Sequence, residues 1–257
     1  MLVRAVVSEA FEANCWVLAP GPGQECVIVD PGIGVLTELD AVLAGEKLRP
    51  AAVVLTHGHV DHCFSVAPVC GARGITAYVH PGDREMVADP AKGLSLTMRQ
   101  LFGGRLTYTE PEDVAPLPDA GTISIAGLEL TVDHAPGHTQ GCVLFRLAGA
   151  GADLTRLPQV LQPGGRTGAS AAEAELICLS GDVLFAGSIG RTDLPGGSMP
   201  AMLTSLRDKV LPLDDETFVL PGHGPVTTIG RERRTNPYLL EVADAWGAPP
   251  PPRATGL

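Results

Sequence analysis

A chain of 257 residues, 45% hydrophobic and 18% charged, can bury the core of one large soluble globular domain. A net charge of −11, with 3 lysines among 18 basic residues, argues against a nucleic-acid partner, because binding a phosphate backbone rests on Lys and Arg. No segment approaches the ~20 apolar residues that cross a bilayer, and Glu9 and Glu12 interrupt the apolar run a signal peptide needs, so a cytoplasmic protein without a membrane partner is expected.

Taken in order, Cys15–Leu18 and Glu25–Val29 are predicted strands separated by the turn Pro20-Gly21-Pro22-Gly23. Asp30-Pro31-Gly32 ends the second strand, and residues 35–45 have the pattern of an amphipathic helix. Strand 51–55 leads into the run Thr56-His57-Gly58-His59-Val60-Asp61-His62, and Ile75–Val79 is a further strand. Residues 81–118, rich in Pro and Gly, suit one or two short helices. Residues 122–125 and 128–132 pair around Ala126-Gly127, and 142–147, 176–179 and 217–220 are predicted strands. Helices are expected over 198–210 and 230–244. Strands followed by loops in both halves fit a sandwich of two sheets with helices outside. One domain is expected over residues 1–246, with a flexible insertion at 148–175, dominated by Ala, Gly, Pro and Thr, and a disordered Pro-rich tail at 247–257. The six cysteines form no C-x-x-C pair, which predicts reduced, buried thiols.

The histidine run carries the chemistry. Three imidazoles and a carboxylate within six positions are metal donors at a density that packing does not explain. His138, Asp182 and His223 each follow an apolar strand and stand beside glycine, which lets the backbone turn sharply and bring a short side chain to the sheet edge. A catalytic zinc takes three protein ligands and an open position, so seven donors are too many for one ion and suit two that share a carboxylate. No regular helix or strand aims residues 57, 59, 61 and 62 at one centre, whereas 57 with 59 and 61 with 62 can serve two.

The succession THGHVDH, PGHT, GD and PGHG resembles the metallo-β-lactamase-fold hydrolases, and Gly181–Gly197 is similar to the glyoxalase II-like (hydroxyacylglutathione hydrolase-like) branch. The resemblance runs from Asp30 to His223. It implies an α+β fold, a four-layer αββα sandwich. It also implies a first metal on His57, His59 and His138, and a second on Asp61, His62 and His223, with Asp182 bridging. The cofactors implied are two divalent ions, zinc foremost, with iron or manganese served by the same donors. The expected activity is cleavage of a small-molecule thioester of the S-lactoylglutathione kind by a metal-bridging hydroxide, with Asp61 and Asp182 as catalytic residues. The nearest alternative in the same fold is a persulfide dioxygenase with one iron. True β-lactamases of the fold usually do not use an Asp at the position of Asp182, which argues against antibiotic hydrolysis. Residues 224–257 leave a short region for thiol recognition. Asp30 is expected to support the ligand loops or to serve as a plain turn residue. His134 is expected to support its loop, His80 to end a strand, and Arg191 to pair with Asp193.

Overall fold

A computed structural model describes residues 1–95, 107–162 and 174–246. Among the described residues, twelve strands form two six-stranded sheets. The first takes β1 (Leu2–Val7), β2 (Asn14–Ala19), β3 (Glu25–Val29), β4 (Arg49–Val54), β5 (Thr76–Val79) and β6 (Val114–Pro116), in that spatial order. The second runs from β12 (Thr227–Thr228) through β11 (Phe218–Pro221), β10 (Ala174–Gly181), β9 (Val143–Ala152) and β8 (Leu128–His134) to β7 (Ala120–Ile125). Strands β3 to β6 are parallel. Covered on both faces, β3 and the end of β4 read as unbroken apolar runs rather than alternations.

Three apolar clusters separate four layers. Trp16, Leu18, Val27 and Val29 meet Leu130, Phe145, Ile177 and Leu179 between the sheets. Outside the first sheet, α1 (Leu36–Glu46) and α3 (Val66–Gly71) bury Leu39, Leu43, Val66 and Val69. Outside the second, the helices Met199–Ser205 and Pro237–Trp246 bury Met202, Leu239 and Val242. This is the αββα sandwich expected. No described helix is long and apolar enough to cross a membrane.

Several elements depart from the sequence reading. β1 and β6 were not foreseen, nor were the short helices α2 (Val60–Cys63) and α3. α4 (Arg84–Ala88) and a 3-10 turn at Pro90–Gly93 occupy the stretch read as one or two short helices. The helix expected over 230–244 is two helices, Ile229–Thr235 and Pro237–Trp246. Asn236, forced out of the helical region by the proline after it, separates them at ψ 118°. Residues 148–175 are partly built into the sheet: β9 extends to Ala152 and β10 starts at Ala174. The small residues there permit close approach; a Cβ at Gly149 would stand 2.0 Å from the Ala174 carbonyl oxygen. Leu154, Leu157 and Leu161 bury themselves in the core between the sheets. Residues 163–173 and the tail 247–257 lie outside the described residues.

Candidate metal centre

The loops after β4, β8, β10 and β11 bring all seven predicted ligand residues to one place. His57 and His59 leave β4 in an extended segment, and His59 then caps α2, whose first turn carries Asp61 and His62. The change from extended chain to helix turns the two pairs in different directions. Two groups result: His57, His59 and His138, all buried, and Asp61, His62 and His223, of which only His62 is buried. Within each group the donor atoms lie within 4.8 Å of one another.

The spacings around Asp182 and Asp61 are those of a coordination polyhedron, while His59 Nδ1 lies closer to His138 Nε2, at 2.8 Å, and His62 Nε2 to His223 Nε2, at 3.2 Å. Donors bound at ~2.1 Å in a tetrahedron stand about 3.4 Å apart, beyond ordinary hydrogen-bond distance. Asp182 Oδ2 lies 3.5 Å from both His138 Nε2 and His223 Nε2, and its Oδ1 lies 3.5 Å from His62 Nε2. Asp61 Oδ2 is 3.3 Å from His223 Nε2 and 3.7 Å from His62 Nε2. Asp182 thus faces histidines of both groups. Buried His57 Nε2, His59 Nε2 and Asp182 Oδ1 have no hydrogen-bond partner among the described residues. Orphaned polar atoms at this depth cost free energy unless something binds them. These residues fit a metal.

Outer partners set the ring tautomers. Asp30 Oδ2 accepts the Thr56 hydroxyl at 2.5 Å, and Thr56 Oγ1 lies 3.1 Å from His57 Nδ1. His62 Nδ1 lies 3.2 Å from the same Asp30 oxygen, and His138 Nδ1 donates to the Arg191 carbonyl at 2.7 Å. With Nδ1 engaged by these outer partners, the Nε2 atoms of His57, His62 and His138 face the centre. Asp30, 1% exposed and at φ 53°, therefore supports ligands in both groups, which exceeds the role of a turn residue.

Glycines let the loops approach closely. A Cβ at Gly222 would stand 2.1 Å from Asp182 Oδ1, and one at Gly32 would stand 1.7 Å from the Asp61 carbonyl oxygen. Asp83 escaped the sequence reading. Buried, it accepts the Gly58 N–H at 2.8 Å, the Thr139 hydroxyl at 2.6 Å and the Gly141 N–H at 2.7 Å, tying the His57 and His138 loops together. Its position after a strand and the pair Pro81-Gly82 repeats the context that flagged Asp182. Asn14 also went unnoticed; its Nδ2 holds the Pro221 and Gly224 carbonyls on either side of His223 at 2.9 and 3.0 Å.

Burial and neighbouring charge divide the two groups. Burial, then the imidazoles around it, lowers the pKa of His57 well below the usual range. Burial, with His138 next, takes His59 to about 3. His62 goes the other way: burial would lower it, but Asp182, Asp61 and Asp30 raise it to about 10. Burial also opposes the charged form of His223, yet its bond to Asp61 and the charge of Asp182 raise its pKa. Asp61 is lowered: burial opposes its charge, but His62 and His223 outweigh it.

The remaining histidines are structural. His80 Nδ1 accepts the Gly82 N–H at 3.1 Å, which leaves the proton on Nε2 to donate to Asp119 at 2.7 Å. No lone pair of that ring is free for a metal. His134 stacks on it at 4.0 Å and binds the Gln140 carbonyl at 2.8 Å, supporting the His138 loop as expected. Arg191 pairs with Asp193 through two bonds of 2.7 Å. Cys63 is buried, and burial raises its pKa, so it packs as a small hydrophobe.

The centre opens into a cavity of about 410 Å³ lined by His59, Asp61, His138, Asp182 and His223, with Phe11, Val60, Leu94, Phe185 and Leu194 among its apolar walls. Polar donors at the floor of an apolar cleft are the usual form of a small-molecule site.

The family model of the Metallo-beta-lactamase superfamily matches residues 9–155. The chain is 44% identical to an uncharacterized protein of Mycobacterium tuberculosis, over 93% of this chain and 98% of that one. It is 29% identical to the hydroxyacylglutathione hydrolase GloC of Haemophilus influenzae, again over 93% and 98%. Among solved structures, the BLEG-1 B3 metallo-beta-lactamase is similar at 34% identity and a TM-score of 0.74, over 92% of this chain and 99% of that one. TTHA1623, solved in a di-iron-bound form, is similar at 33% identity and a TM-score of 0.66, over 91% and 99%. The chain belongs to the metallo-beta-lactamase superfamily.

Proposed function

We propose that this metallo-hydrolase cleaves thioesters of a low-molecular-weight thiol, in the manner of S-lactoylglutathione hydrolysis. In this reading one domain over residues 1–246 works on a small molecule in the cytoplasm. His57, His59 and His138 hold one divalent ion, Asp61, His62 and His223 hold a second, and Asp182 serves both. Zinc suits these donors, as do iron and manganese; the di-iron form of TTHA1623 is consistent with two ions. Bound there, such ions supply a water of lowered pKa and a Lewis acid for a carbonyl oxygen.

The chain's own residues supply the rest. Asp61, half-buried at the cavity floor, can orient the attacking water. The apolar walls keep bulk water from the carbonyl, which strengthens every interaction with the charge that develops there. A thiolate, with a conjugate acid of pKa about 8.5, leaves without a strong general acid. The similarity to GloC over nearly the whole of both chains carries the thioester reading.

The test is thiol release from S-lactoylglutathione by the metal-loaded protein and by Asp182→Ala. Release by the wild type, and its loss by at least ~10²-fold in the variant, is the expected outcome. The likeness to BLEG-1 favours a second reading, β-lactam hydrolysis, against the expectation drawn from Asp182. A chromogenic cephalosporin in the same assay separates the two. No thiol release would sink the thioester reading; oxygen uptake with a persulfide would replace it with the dioxygenase alternative.

A further inference from the structure

Two buried side chains, one on an outer helix and one in the break between two, reach the wall of the cavity through a single turn. Glu232, on the helix Ile229–Thr235, is 0% exposed. Its Oε2 accepts the Gly187 N–H at 2.7 Å and Asn236 Nδ2 at 3.0 Å, while Oε1 accepts the Thr227 hydroxyl at 2.6 Å. Asn236, also fully buried, donates from Nδ2 to the Ser188 carbonyl at 3.0 Å, and its Oδ1 accepts the Tyr238 N–H at 3.1 Å. Burial of a carboxylate and an amide is tolerable only because each is hydrogen-bonded. Those bonds converge on the tight turn Phe185–Ser188, which Phe185 closes by donating its N–H to the Ser188 carbonyl at 2.9 Å. Gly187 takes the φ of 76° that the turn requires.

The turn aims one side chain at the site. Phe185 lines the cavity, and its ring stands edge-on to His223, with centroids 5.9 Å apart at 87°. The chain on either side of the turn carries Asp182 and the Arg191 carbonyl that holds His138.

We propose that Glu232 and Asn236 are positioning residues for substrate binding. They hold the Phe185–Ser188 turn so that the Phe185 ring forms the cavity wall beside His223, and the apolar part of the substrate packs on that ring. The kinetic arm of the test rests on the thioester reading; the spectroscopic arm does not.

The zinc-loaded wild type is compared with Glu232→Ala, Glu232→Gln, Phe185→Ala and the double variant Phe185→Ala/Glu232→Ala. The readouts are the His223 ring C–H signals in NMR, metal content, melting temperature and the KM and kcat for S-lactoylglutathione. Gln keeps an acceptor oxygen for Gly187 and Asn236 and turns its amide to the Thr227 hydroxyl, which can accept. Glu232→Ala and Phe185→Ala are expected to shift the His223 signals in the same direction, and Glu232→Gln to leave them in place. Glu232→Ala should raise KM by about tenfold with kcat within about twofold and metal content unchanged, as a displaced wall predicts. The double variant should have a KM no higher than Phe185→Ala alone, because two changes acting through one contact are not additive. If Glu232→Ala does not fold, Asn236→Ala, which leaves Glu232 on Gly187, carries the same comparison. A Glu232→Ala protein that melts earlier but keeps wild-type His223 signals and KM would overturn the proposal, as would KM effects that multiply in the double variant. If even the wild type releases no thiol, the thioester reading fails and the His223 signals alone decide the role of the turn.

Discussion

The two halves of the metal centre are built from similar donors and are chemically unlike. His57, His59 and His138 form a buried group of three imidazoles, two of them held neutral by burial and by one another. Asp61, His62 and His223 include a carboxylate, stand partly open to the cavity, and have imidazole pKa values raised by the acids around them. His57 and His59 are ready to donate lone pairs at neutral pH. In the second, His62 must shed a proton before it can ligate. One buried carboxylate, Asp182, couples them, so a centre with one poised and one proton-laden half arises from residues of the same types.

The change with the largest expected effect removes what the halves share. Asp30 orients His62 directly and His57 through Thr56. Asp30→Ala should weaken both ions by about 10- to 100-fold, the usual cost of losing a ligand's outer partner. Metal titration checks this; weakening at one site alone would break the shared-support picture. Next comes pH. Ion binding to the second group at pH 7 should release at least one proton, from His62 with its pKa of about 10, and binding should weaken as pH falls. Calorimetry in buffers of different ionisation enthalpy measures that release.

Stability of the metal-free protein should divide in the same way. His59, at about 3 when folded against about 6.5 when free, takes up a proton on unfolding, so it costs stability as pH falls from about 6.5 toward 3. His62 contributes stability that is fully present below about 6.5 and lost as pH rises toward 10. Denaturant titrations across pH 4 to 10 measure both windows. The smallest effect is expected from Arg191→Gln. Its pair with Asp193 is exposed, 61% and 68%, and His138 is held by the Arg191 backbone, so stability should change by no more than ~0.5 kcal/mol and metal content not at all.

The ligand residues could be read from the sequence because their chemistry is dense and their context repeats: an apolar strand, a glycine, then a donor. β3, Glu25–Val29, was readable to the residue because a continuous apolar run bounded by a turn has few alternatives. α2 was not, since four residues cannot sustain a helix by propensity and this one is fixed by tertiary contacts around the ligands. The Ala- and Gly-rich end of β9 was missed because periodicity is read from large side chains, whereas that strand depends on their absence. Asp83 was passed over because a carboxylate that binds only backbone and hydroxyl donors looks in sequence like any turn residue. The Glu232–Asn236 bonds to the turn at Phe185 span 45 and 48 residues, beyond the reach of any local pattern.

Anomalous diffraction at the metal absorption edge from crystals of the loaded protein tests the two-ion centre most directly. Two peaks are predicted, one among His57, His59 and His138 and one among Asp61, His62 and His223, each within bonding distance of Asp182. A single peak, or two peaks of which one lies out of reach of Asp182, would contradict it.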